Sequence, residues 1–357
     1  MKISLSLCAA AVFGLSVFTT SAALPVIARD PYIGAIVIDA ATGETLFEDN
    51  ADRTGYPASM LKLMDMLIIL ERVQSGLVGY DARVTTSAAA SRMGGSQVYL
   101  KEHEVFSLED MLYALMIQSA NDAALALAEH FAGAKDGFVH LMNQKAQELG
   151  MDSTRFFSPH GLPPGEGQSP DVTTARDFAK LCRELCRHPD IFRFTSARER
   201  DFRDGTFIMR NHNNLLGVFP GCDGFKTGYF RAGGYSIAAT AEREGRRVIA
   251  VVLGSVSKQV RDAKARELLS IGLANALSTP QPVIPPAAPV AASQLPAVPE
   301  EADDLELENE PQDLPPAGGG CGGFWTGLLA GLGVGALAYA GVKLKQRRDS
   351  RNFIRRS

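Results

Sequence analysis

The chain has few cysteines, and they do not form a framework. Of the five, Cys8 falls in a leading apolar run, while Cys182 and Cys186 stand one helical turn apart, a spacing that suits shared burial better than a disulfide. Metal-ligand spacing is also lacking, because the six His are scattered, and nothing calls for a cofactor. Charge of one sign is scarce too. A formal net charge of -4 leaves no basic surplus of the kind that binds nucleic acid. No internal repeat is visible.

Long apolar runs do occur, one at each end. Lys2 is followed by an apolar run from Ile3 to Phe18 and then by small residues, the layout of a secretory signal peptide over residues 1–28, with cleavage after Ala23 or Ala28. An N-terminal membrane anchor is the alternative, and the shortness of the run speaks against it. Near the other end, Phe324 to Val342 carries no charge and at about 1.5 Å per helical residue is long enough to cross a hydrocarbon core of about 30 Å. The tail that follows, residues 343–357, holds Lys343, Lys345, Arg347, Arg348, Arg351, Arg355 and Arg356, which places it in the cytoplasm and the preceding domain outside. The glycines around Cys321 leave a second reading open, a C-terminal sorting tail.

Between the ends lie one domain of about 250 residues, 29–278, and a Pro-rich, acidic segment, 279–323, too poor in apolar residues to fold. Tyr32 to Asp39 and Glu44 to Phe47 read as strands around a turn at Gly43. Met60 to Leu70 is apolar on nearly every face, which predicts a helix wrapped inside the domain. A further helix starts at the N-cap candidate Ser107, breaks at Ser119 and resumes at Asp122. Pro159 to Pro170 is a loop, and Thr173 to Arg187 is helical. Phe225 to Phe230, Tyr235 to Ala241 and Arg246 to Leu253 are strands, and Val260 to Leu277 is a closing helix.

Three motifs occur in order: Ser59-Met60-Leu61-Lys62, Ser119-Ala120-Asn121 and Lys226-Thr227-Gly228. Each alone is weak, since Ser255 to Lys258 repeats the first spacing and Ser350 to Asn352 the second. Context separates them. On one helical turn Lys62 stands beside the Ser59 hydroxyl, and Leu61, Leu63, Met66 and Leu67 make its charge costly, so a neutral amine can serve as general base. Ser59 as a plain N-cap and Lys62 as a snorkelling surface residue are the blander readings. Ser119 and Asn121 offer a hydroxyl for proton relay and an amide for a substrate backbone, or a helix cap. Lys226 and Thr227 on an edge strand offer a cation and a hydroxyl to a carboxylate, and Gly228 lets an extended ligand pair alongside.

Together with Ala35 to Gly43, Pro57 to Met64, Gly95 to Leu100 and Asp223 to Tyr229, these motifs resemble the D-alanyl-D-alanine carboxypeptidase family over about residues 29 to 278. The resemblance implies an α/β, serine β-lactamase/transpeptidase-like fold: an antiparallel sheet flanked by helices, with a helical subdomain. It implies a penicillin-binding enzyme that acts on peptidoglycan stem peptides through an acyl-Ser59 intermediate, with β-lactams as inhibitors. The backbone N–H groups of Ser59 and Tyr229 would hold the oxyanion, and Arg261 would assist Lys226 and Thr227 at a terminal carboxylate. Leu61 and Phe230 depart from the family, which more often has Thr at both positions, and the second bears on the carboxylate pocket. The acidic spacer and terminal span replace the β-rich domain and amphipathic helix of many relatives. A β-lactamase is disfavoured because no Glu-x-x-Leu-Asn stretch follows Ser119-Ala120-Asn121. A D,D-endopeptidase and a catalytically silent peptidoglycan-binding module remain the alternatives.

Overall fold

A computed structural model describes residues 24–27, 29–277 and 285–288. Most of the expected signal peptide, most of the spacer, the 324–342 span and the basic tail lie outside the described residues.

In chain order the domain runs β1 (Gly34–Asp39), β2 (Thr45–Asp49), a 3-10 turn (Ala58–Leu61), α1 (Lys62–Gln74), β3 (Arg83–Thr85), α2 (Ala88–Ser91), β4 (Val105–Ser107), α3 (Leu108–Tyr113), a π turn (Ala114–Gln118), α4 (Asn121–Ala132) and α5 (Lys135–Glu148). It continues through α6 (Ala175–Leu185), α7 (Asp190–Thr195), β5 (Glu199–Phe202), β6 (Phe207–Arg210), β7 (Cys222–Phe230), β8 (Gly234–Arg243), β9 (Arg246–Ser255) and α8 (Lys258–Leu277). The main sheet is antiparallel in the order β2-β1-β9-β8-β7. β7 is therefore an edge.

Both faces of this sheet are covered, which explains why its strands read as continuous apolar runs. Ala35, Val37, Val248, Ala250 and Val252 face α8 through Ala265, Leu268, Leu269 and Leu273. Gly272 allows the close approach, since a Cβ there would lie 2.7 Å from Val37 Cγ2. The alternate residues Ile36, Ile38, Ile249, Val251 and Leu253 join the larger core, which takes in α1, α4 and α6. α1 is buried from Lys62 through Arg72, as its apolar girth predicted. Around it gather α4 to α7, with the small sheet β3/β4 resting on α3 and α4 and β6 of the other small sheet on the π turn.

The helix starts follow local chemistry. Ser107 Oγ accepts from Asp110 N and Thr174 Oγ1 from Asp177 N, so both are N-caps. Asp122 has a longer reach: its carboxylate accepts from Val98 N and Leu100 N, fixing the 98–100 loop against the start of α4.

Two short segments near the ends touch the domain. Tyr56 Oη donates to Pro25 O at 3.3 Å, and Ile27 packs on the core, so residues 24–27 act as part of the domain. Residues 285–288, within the expected spacer, touch it as well. Ala287 is buried, its N–H donates to Arg187 O at 2.9 Å, and its carbonyl accepts from Gln74 Nε2 at 2.9 Å. These backbone bonds need no apolar side chain, which is why composition concealed them. Cys182 and Cys186 are buried free thiols, in line with their spacing.

Asp122→Ala takes away the carboxylate that accepts from three buried N–H groups, Val98, Leu100 and Ala123, and we expect a loss of about 2–3 kcal/mol in urea unfolding.

Candidate active site

Ser59 sits in the 3-10 turn that precedes α1, half-buried at the floor of a cleft of about 370 Å³. It is not an N-cap, since no side-chain capping bond forms at this turn. Ala58 just before it has φ 49, a backbone state that non-glycine residues rarely adopt. The turn is clamped from two sides. A Cβ on Gly161, at φ +73, would lie 2.3 Å from Ala58 O, and one on Gly228 of β7 would lie 2.4 Å from Pro57 O. Gly228 is thus required by the close approach of β7 to the turn, a different reason from the ligand pairing expected of it.

Lys62 is fully buried and spans three oxygens. Its Nζ lies 3.1 Å from Ser59 Oγ, 2.8 Å from Asn121 Oδ1 and 2.6 Å from His160 O. Burial lowers its pKa to about 7, against the opposing pull of Asp65, Asp171 and Asp122. The geometry suits the neutral amine. Two N–H bonds go to oxygens that can only accept, and the lone pair is left for the one neighbour that has a proton to give, the Ser59 hydroxyl.

Asn121 is held by its Nδ2, which donates to Gly94 O at 2.8 Å. Gly95 must lack a side chain, because a Cβ there would lie 2.7 Å from this nitrogen. Ser119 closes the π turn at φ 61 and lines the cleft. Its hydroxyl is not among the partners of Lys62, so the relay expected of it has no direct bond here.

On the opposite wall Thr227, Gly228, Tyr229 and Phe230 line the cleft. Lys226 is not among the lining residues. It is 2% exposed, its Nζ donates to Thr227 O at 3.1 Å, and burial, then Lys62 and Arg261, hold its pKa well below the usual lysine range. The Phe230 ring packs on Tyr56 with centroids 5.6 Å apart and still lines the cleft, so packing and lining coexist. Tyr229 is exposed and stacks on Tyr235 at 4.2 Å. Arg261 reaches the cleft but is 3% exposed and bound to Asp262, with Nε 2.8 Å from Oδ1.

Sequence reasoning missed His160, His212 and Lys258. The last two line the cleft beside Arg261, and Lys258 belonged to the chance repeat of the first motif. Ser255, its partner there, is fully buried at the end of β9. A larger hollow of about 510 Å³ between β1, β2 and α6 holds none of these groups.

A serine on a clamped turn, a desolvated lysine one turn on, and an edge strand across the cleft define the class of penicillin-binding serine enzymes, and solved structures agree. Penicillin-binding protein D2 from Listeria monocytogenes, in its ampicillin-bound form, superposes with a TM-score of 0.62 at 32% identity, over 68% of this chain and 97% of that one. Among curated proteins, D-alanyl-D-alanine carboxypeptidase DacF of Bacillus subtilis is 38% identical over 238 residues, 66% of this chain and 60% of that protein. DacC of Escherichia coli, also a D-alanyl-D-alanine carboxypeptidase, is 34% identical over 247 residues, again 66% and 60%. The chain thus spans about 60% of the length of these two relatives. The family profile for D-alanyl-D-alanine carboxypeptidases matches residues 23–257, and the chain belongs to that family.

Two outcomes follow from this geometry. Acylation by a labelled penicillin should track the neutral fraction of Lys62, rising with pH through about 7 and falling away below it; stopped-flow rates across pH 5 to 9, a range of about two units either side, check this. Gly228→Ala should slow acylation about a hundredfold by displacing the Ser59 turn, with the thermal midpoint nearly kept.

Proposed function

We propose that this chain is an exported serine D-Ala-D-Ala carboxypeptidase that removes the terminal D-Ala from peptidoglycan stem peptides. The observation that carries the reading is the buried Lys62 amine, its pKa lowered to about 7, with Nζ 3.1 Å from Ser59 Oγ. Ser59 Oγ attacks the carbonyl of the penultimate D-Ala while its proton passes to Lys62. The backbone N–H groups of Ser59 and Tyr229 hold the resulting oxyanion. Collapse expels the terminal D-Ala, whose amine takes the proton, and water then hydrolyses the acyl-enzyme with Lys62 or Ser119 assisting.

Recognition of the terminal carboxylate falls to Thr227 and Arg261, with Lys258 and His212 beside them and Lys226 buried close by. This concentration of cations favours a carboxypeptidase over an endopeptidase, whose substrate has an amide at that place. Asn121 holds the substrate backbone and Gly228 keeps the strand edge close. β-Lactams enter the same path as inhibitors.

For localisation we propose cleavage of the signal peptide after Ala23, which spares Pro25 and Ile27 with their contacts to the domain. Residues 324–342 would then anchor the enzyme on the outer face of the cytoplasmic membrane with residues 343–357 inside.

Ser59→Ala should abolish both penicillin labelling and D-Ala release without moving the thermal midpoint; persistent labelling would place the nucleophile elsewhere. Lys62→Ala should slow acylation by about 10²–10⁴-fold, the usual contribution of a positioned base. Product analysis with pentapeptide against a cross-linked dimer decides between exo- and endopeptidase: release of free D-Ala from the pentapeptide is expected, and preferential cleavage of the dimer would overturn the assignment.

A further inference from the structure

Asp65 lies one helical turn beyond Lys62 on α1 and is 1% exposed. Neither carboxyl oxygen has a hydrogen-bond partner. Its neighbours along the helix, Leu63, Met64, Met66 and Leu67, are fully buried and apolar, so nothing local repays the loss of water around a carboxyl group. No described ion pair includes it. Lys62 has already committed its nitrogen to Ser59, Asn121 and His160, so the two side chains influence each other through space.

That influence is mutual and the strongest of its kind for each. Burial pushes Asp65 well above the carboxylate range, and Lys62 is the charge that opposes this. Conversely Asp65 is the foremost of the carboxyls that support the charged form of Lys62, ahead of Asp171 and Asp122. Those two have local tasks. Asp171, in the loop before α6, accepts from Phe157 N, Ser158 N and Ser158 Oγ. Asp122, on α4, accepts from Val98, Leu100 and Ala123 N–H groups. Across the site Lys226 on β7 repels Lys62, and the His160 ring, on the loop before α6, is held neutral by burial and by Lys62. Asp65 alone has no structural bond to explain it.

We propose that Asp65 is a positioning residue for Lys62: a buried carboxyl one helical turn away, with no ion-pair or side-chain partner, whose ionised form supports the charge that Lys62 acquires when it takes the Ser59 proton. The two groups then titrate as a pair. This rests on the reading of Lys62 as the base.

The test is the pH profile of penicillin acylation for full-length Asp65→Asn and Asp65→Leu. Both should shift the midpoint of the acid limb downward by about one pH unit. Both should also lower the alkaline plateau, because the remaining amine is a weaker base. Non-covalent penicillin affinity should hold, and the thermal midpoint should hold or rise. A lowered plateau with an unmoved midpoint would make Asp65 a packing group and overturn the proposal; failure of both variants to fold would do the same. Lys62→Ala separates the two ideas. If that variant acylates normally, the base reading falls; if it is inactive while the Asp65 variants keep the midpoint, only the role of Asp65 falls.

Discussion

The whole site depends on keeping one amine out of water. A lysine in solvent is charged at neutral pH and has no lone pair to offer, so everything that makes Lys62 useful comes from its burial. α1 is enclosed on all sides by the sheet and by α4 to α6, and that enclosure is the purpose its apolar sequence serves. Two carbonyl oxygens, one from a side chain on α4 and one from the backbone of the loop before α6, orient the nitrogen without requiring its charge. Remove any of these elements and the amine regains water and its proton.

The cleft adds a second electrostatic theme. Lys258 and Arg261 line the hollow, with Lys62 and Lys226 buried close by, and among the described residues only Arg261 of the four makes an ion pair, with Asp262, which is itself tied to Asn214 Nδ2. Burial, then Lys62 and Arg261, push the Lys226 pKa well below the usual lysine range. On the proposed function, an entering carboxylate would offset that repulsion and favour the charged form of Lys226.

Much of this was legible in the sequence. Alternation and apolar runs located the large strands; Ser107 and the break at Ser119 marked real helix boundaries; and the context of Ser59 and Lys62 foretold desolvation. The small strands β3 to β6, with three or four residues each, are too short for periodicity to register. The His160 contact was hidden because the group involved is a carbonyl, which every residue has. The full burial of Lys226 could not be read from the strand pattern, which gives a side chain its face of the sheet but not what covers that face. His212 and Lys258 came to the cleft by tertiary folding alone, from a loop and from the first turn of α8.

The docking of Ala287 has a geometric consequence. Its two anchors are Gln74, the last residue of α1, and Arg187, just past α6, whereas Ser59 lies at the other end of α1. Thirteen residues separate these ends, a rod of about 20 Å. The docked segment therefore grips the tail of the same rod whose tip carries the Ser59 turn. A load borne at Ala287 meets the domain at the blunt end of that axle, a rod's length from the cleft.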